Sequence, residues 1–127
     1  PHILIAGGTG LAPMLSMIDK LRLLRPAPPI LLVFGCVKEN DLFHVDELQA
    51  RTGFTPSLTV RISLEQESAI PSVVQGNPVS VLTDSDFPAG SIAYLCGPPG
   101  MIAAAEEKLL GYGLSIEDIR SEQFLPS

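Results

Sequence analysis

The chain has 127 residues, a formal net charge of -6 and 46% hydrophobic residues. That is the usual size of one domain with enough apolar content for a packed core, and it excludes a disordered tail. The acidic balance argues against nucleic acid or an anionic membrane surface as the main partner. An anionic cofactor stays open, because a helix N-terminus binds phosphate without much basic charge.

No apolar run reaches bilayer-spanning length, and no signal-peptide pattern is present. Cys36 and Cys96 are too few for a disulfide scaffold and lack zinc-ligand spacing, which fits a reducing cytoplasm. The chain starts at Pro1 rather than Met and reads as a piece of a longer protein.

In chain order, "HILIA" is expected to form a buried strand. Apolar residues at Leu15, Ile18, Leu21 and Leu24 predict a helix over Met14 to Leu24, stopped by "RPAPP". "ILLVFGC" (Ile30 to Cys36) predicts a second buried strand. "NDLFHVDELQARTG" predicts a second helix, with Asn40 or Asp41 as N-cap and Gly53 near its end. "SLTVRISL" alternates and predicts a third strand. Glu65 to Gly90 holds Pro71, Pro78 and Pro88 and one short apolar piece, "VSVLTD", and gives no clear pattern. "SIAYLCG" predicts a further buried strand and "GMIAAAEEKLLGYG" a third helix. A helical turn capped by Ser115 and a last strand over Ile119 to Phe124 complete the chain.

Strands alternating with helices predict right-handed crossovers and a parallel sheet covered on both faces. The expected fold is a doubly wound α/β domain of about five strands, spanning residues 1–127. Such folds bind ligands at the carboxyl ends of the strands, where the strand order reverses.

Those ends carry "GGTGLAP", "GCVKEND" and "CGPPGM". In the first, the glycines let backbone amides approach a pyrophosphate, and the following helix directs its positive end at the phosphates. Pro13 suits the first turn, where its missing N–H is no loss. Gly8, Gly10 and Pro13 spell G-x-G-x-x-P, which is neither G-x-G-x-x-G nor a P-loop. A tight strand-to-helix turn without a ligand explains this segment equally well. In the third, Cys96 closes a buried strand, and Pro98 and Pro99 stiffen the turn that follows. A buried free cysteine is most often a small hydrophobe, and Cys36 is assigned that role.

"AGGTGLAP", "FGCVKENDLFHVDEL", "YLCGPPGM" and the C-terminal "EQF" together resemble the pyridine-nucleotide domain of the ferredoxin–NADP reductase superfamily. The resemblance is nearest to the reductase components of bacterial aromatic-ring dioxygenases and monooxygenases, and it covers nearly the whole chain. It implies an oxidoreductase domain that binds NAD(P)H. A separate β-barrel domain would bind FAD, and electrons would pass singly from the flavin to a [2Fe-2S] centre of a ferredoxin or ferredoxin domain, feeding an oxygenase component. Neither the barrel nor a cysteine set for the cluster is present in this chain. The chain is therefore expected to be the nucleotide-binding part of such a flavoprotein, inactive alone.

By motif position, the resemblance places Gly8, Thr9, Gly10 and Pro13 around the pyrophosphate. Thr9 is there either a hydrogen-bond donor or a turn threonine satisfied locally. Gly35, Val37 and Lys38 would hold the adenosine end; Gly97, Pro98 and Met101 would line the turn after Cys96. Cys96, Glu122 and Phe124 would sit at the hydride-transfer position, Cys96 by shape and polarisability rather than as a nucleophile. Phe124 would lie against the flavin or simply close the last strand. Relatives often carry arginine where Val37 stands, and Val37 cannot pair a 2′-phosphate. Lys38 could, whereas Glu39 and Asp41 would favour a free ribose. NADH is expected over NADPH.

A nucleotide-binding or sensor module without redox chemistry is the alternative; it has no use for Cys96 or the Glu122–Phe124 pair. A self-sufficient dehydrogenase would need a base such as Tyr-x-x-x-Lys, and neither Tyr94 nor Tyr112 has one. His2, His44, Ser16, Ser68, Asp84 and Asp86 are assigned no chemistry.

Overall fold

The computed structural model describes residues 1–7, 11–37, 45–67 and 73–123. Strands β1 (His2–Gly7), β2 (Ile30–Cys36), β3 (Leu58–Leu64), β4 (Val73–Gln75), β5 (Ile92–Gly97) and β6 (Ile119–Gln123) form one sheet in the order β4-β3-β2-β1-β5-β6. Every pairing is parallel. The chain builds outward from β1 to β4 and then returns to the other side of β1 as β5. The strand order therefore reverses at β1, and the crevice there lies beside Gly7 and Gly97.

Helices α1 (Leu11–Leu21) and α2 (Val45–Phe54) cover one face and α3 (Pro99–Gly111) the other. Strand alternation sorts the side chains between the two cores. Leu4, Ala6, Leu32, Phe34 and Cys96 meet Leu11, Met14 and Ile18 of α1 and Leu48 of α2. Ile3, Ile5, Val33, Ala93 and Leu95 meet Ile102, Ala105 and Leu109 of α3. Both helix stripes run i, i+3, i+7, which places them on one side of a helix. Each fully buried Leu or Ile contributes roughly 1.5–3 kcal/mol relative to exposure. No helix among the described residues is long and apolar enough to cross a membrane.

The doubly wound architecture agrees with the sequence, with one more strand than expected. The addition is β4, three residues at the sheet edge inside the proline-containing stretch. It is too short to carry a periodic pattern. "VSVLTD" forms a turn leading to a 3-10 helix at Asp84–Asp86. Its Val79, Val81 and Leu82 are apolar because they join the core beneath α3.

Helix α1 starts and stops three residues before the expected bounds. Pro13 is accommodated in its first turn, as expected. Past Leu21 the hydrogen bonds tighten, Leu23 N–H to Lys20 O at 3.3 Å and Leu24 N–H to Leu21 O at 3.1 Å. Arg25 precedes Pro26, and that position disfavours helix. Leu24 is exposed, so its helical spacing did not mark a buried face. The expected caps of the second helix, Asn40 and Asp41, lie outside the described residues. Ser115 does cap: its Oγ accepts a hydrogen bond from the Glu117 N–H.

Candidate functional site

At the carboxyl edge of the sheet a cavity of about 500 Å³ opens on the α3 face. Its floor is the strand ends, Gly7, Gly35, Val37 and Glu65. One wall is the start of α3, with Pro98, Gly100, Met101 and Ala104. The opposite wall is the segment after β4, Asn77 to Ser80. Its size falls within the range of small-molecule sites.

The two strand-end glycines are fixed by what lies over them. A methyl group at Gly35 would stand 2.5 Å from Cδ and Cγ of Pro78. Pro78 is buried and its ring cannot turn aside, so Gly35 is what lets the wall settle on β2. At Gly7 the added carbon would stand 2.6 Å from Met101 Sδ. That side chain is flexible, and its seat on β1 brings the start of α3 against the strand-order reversal.

Side chains rather than regular structure hold the Asn77 wall. Asn77 Oδ1 accepts the N–H groups of Val79 (2.9 Å) and Ser80 (2.8 Å). Lys108 Nζ donates to Val79 O at 2.8 Å, tying the wall to α3. Arg61, projecting from β3, makes a two-pronged pair with Asp86 at 2.7 and 2.9 Å and also donates to Val81 O. The guanidinium holds the Asp86 carboxyl below its ordinary range, against an opposing effect of burial, with the Thr83 N–H adding to the lowering. Asp86, to which the sequence assigns no chemistry, is thus a fastening point.

A second, smaller recess of about 180 Å³ lies on the opposite face, between α1 and the edge strand β6. Cys96, Glu122, Pro13, Met14, Met17 and Tyr94 line it. Cys96 and Glu122 are register partners on adjacent strands. Cys96 is only 2% exposed. Burial, and then the charge of Glu122, push its thiol up to about 11. It is a neutral, polarisable contact surface at physiological pH and no nucleophile.

The structure therefore divides the expected site residues. Gly35, Val37, Pro98 and Met101 meet at the cavity, with Gly97 packed beneath Met101. Pro13, Cys96 and Glu122 meet at the recess. Gly8, Thr9, Gly10, Lys38 and Phe124 lie outside the described residues. Glu65 and the Asn77–Ser80 wall were not singled out from sequence. Glu65 could have been, since it directly follows a parallel strand; the wall sits in the stretch without a pattern.

Residues 4–107 match the family model of the oxidoreductase NAD-binding domain. The chain belongs to that family, within the ferredoxin–NADP reductase superfamily. The NAD-binding domain is 30% identical over 129 residues to the toluate 1,2-dioxygenase electron transfer component of Pseudomonas putida, covering 100% of this chain and 38% of that protein. It is 34% identical over 129 residues to the ferredoxin–NAD(P)(+) reductase component of the naphthalene 1,2-dioxygenase/salicylate 5-hydroxylase systems of Ralstonia sp., covering 100% of this chain and 39% of that protein. The cytochrome P450 reductase of Amycolatopsis superposes with a TM-score of 0.87 at 27% identity, over 99% of this chain and 38% of that one. The domain thus spans well under half the length of these oxidoreductase relatives.

Proposed function

We propose that this NAD-binding domain holds NADH for a flavin-dependent reductase, which passes electrons through FAD to a [2Fe-2S] centre and on to an aromatic-ring oxygenase. The observation that carries the reading is the placement of cavity and recess on opposite faces, either side of the β1 carboxyl end. A dinucleotide draped over that edge has its adenosine half in the cavity and its nicotinamide half at Cys96 and Glu122.

The residues present suit NADH. Pro78, Pro98 and Met101 offer apolar walls for a base, and Glu65, Asn77 and Ser80 offer polar groups for a ribose. The pyrophosphate falls at the start of α1, where the first turn directs unpaired N–H groups and a positive dipole end outward. The recess is too small for a whole FAD. Two cysteines are short of the four thiolates that hold a ferredoxin-type [2Fe-2S] cluster. Both groups would belong to other domains of the same system, such as a flavin domain and a ferredoxin domain.

Bound NADH supplies the hydride. The contribution of this chain is orientation, exclusion of water and local charge. Cys96 keeps its proton and offers sulfur as a close, polarisable contact for an aromatic ring. Glu122 places negative charge beside the position where a nicotinamide becomes cationic, and so favours the oxidised product electrostatically. By motif position, Phe124 is proposed to lie against the flavin.

Backbone amide shifts during titration with NADH and with ADP-ribose test this reading. Shifts at Gly7, Gly35, Val37 and Met101 are expected with both ligands, and shifts at Cys96 and Glu122 only with NADH. Identical maps for the two ligands would favour the sensor-module reading, and no shifts with either would overturn nucleotide binding.

A further inference from the structure

We propose that a pocket at the amino edge of the sheet binds a small organic monoanion, a carboxylate on an apolar body. The nucleotide reading makes no use of this pocket, and the two stand or fall separately.

The pocket, of about 380 Å³, lies where α1 and α2 end and β2 and β3 begin. Strand β2 has seven residues at about 3.3 Å each, so roughly 20 Å separate this pocket from the nucleotide cavity. Arg22, Leu23 and Arg25 come from the segment after α1, and Phe54, Thr55 and Ser57 from the end of α2 and the turn beyond it. Among the described residues that line it, two are cationic and none is acidic, in a chain whose net charge is -6.

The guanidinium groups are held without being used up. Arg25 Nη1 donates to Arg22 O at 2.9 Å and to Leu24 O at 3.0 Å, which leaves its Nε and Nη2 without partners among the described residues. Arg22 lies over the Phe54 ring, 5.5 Å from its centroid. Its carboxylate neighbour, Asp19, is 3.7 Å away and makes a shorter contact, 2.6 Å, with Arg51. Arg22 Nε is buried and has no hydrogen-bond partner among the described residues, and the same holds for Oγ1 of the buried Thr55. Polar groups left unpaired in this way are costly, and the oxygens of an anion supply the missing acceptors.

Charge and shape narrow the ligand. A guanidinium matches the planar fork of a carboxylate. Leu23 and Phe54 are 66% and 55% exposed and offer apolar walls. The carboxyl ends of α1 and α2 meet at the same corner, each with a partial negative charge of about half a unit. Two guanidiniums outweigh those ends by enough for one negative charge, whereas a phosphate dianion exceeds it. The pocket therefore suits a single charge carried on an apolar body.

The test follows backbone amide shifts while the chain is titrated with phenylacetate, with its neutral counterpart phenylacetamide and with inorganic phosphate. Phenylacetate is expected to shift Leu23, Ala27, Phe54, Thr55 and Ser57 saturably and to leave Gly35 and Met101 unmoved. The other two probes should bind at least about tenfold more weakly. Arg25→Gln should weaken phenylacetate by about tenfold, and Thr55→Val by less. The comparison of the three probes on the native chain does not depend on either variant folding. Equal binding of phenylacetamide overturns the anion site, and equal binding of phosphate overturns the apolar body. Absence of saturable shifts at these residues with phenylacetate at tens of millimolar overturns the pocket as a binding site.

Discussion

The cavity on the α3 face and the recess on the α1 face are built by different means. Regular elements bound the recess, a helix on one side and an edge strand on the other, and its key residues meet through strand register. The cavity has only one helical wall. The other is an irregular segment fastened by Arg61–Asp86, Lys108 and the Asn77 side chain. A wall of this kind can be shaped to a ligand without altering the sheet, and it concentrates its dependence in a few polar contacts. The large cavity is suited to supplying binding energy from a part of the ligand that does not react. The small recess is suited to holding the part that does.

The contrast is broken most forcefully at Gly35. Gly35→Val drives a branched side chain into the Pro78 ring, at a cost of about 3 kcal/mol in an overpacked site. Chemical denaturation should show that loss together with the loss of 5′-AMP binding. Retention of both would mean that the wall is free to move away.

Asp86→Asn tests the fastening with a smaller effect, about 2 kcal/mol at neutral pH for contacts to a charged group. Asp86 has its folded-state acidity shifted downward, so its contribution is present above the ordinary aspartate range, near pH 4. It is lost as the pH falls through the lowered folded value. Melting temperatures of the native and variant chains should therefore lie apart at neutral pH and converge in acid. Parallel curves would remove Asp86 from the account.

The smallest effect belongs to the recess. At pH 8 a thiol titrating near 11 is about one thousandth thiolate, so alkylation of Cys96, followed by peptide mass mapping, should be slow. Glu122→Gln should accelerate it by less than about tenfold, because burial is the larger cause of the shift and stays in place. A fast-reacting native Cys96 would contradict the neutral, enclosed thiol.

These two regions were not equally legible in the amino-acid order. Cys96 ends an element whose apolar run shows in the sequence, Glu122 lies in the last strand expected from it, and parallel pairing then sets them side by side. The cavity floor was half legible: Gly35 and Val37 end a strong strand, and "CGPPGM" marks the start of α3. The wall was not. Asn77, Pro78 and Asp86 form no periodic pattern, because their order depends on partners far along the chain, Asp86 on Arg61 and Val79 on Lys108. Strand β4 escaped for a related reason, since three residues pair only after β3 is in place.

The fit of Pro78 over Gly35 also constrains the route by which this domain can change. Because the ring fills the space of a missing side chain, the two positions are coupled, and the sequence of events matters. A larger residue can appear on β2 only after the proline has gone. Loss of the proline first merely opens a gap that many residues tolerate. Lineages that reshape this cavity should therefore replace Pro78 before Gly35, and chains bearing a side chain at the strand position should lack the proline.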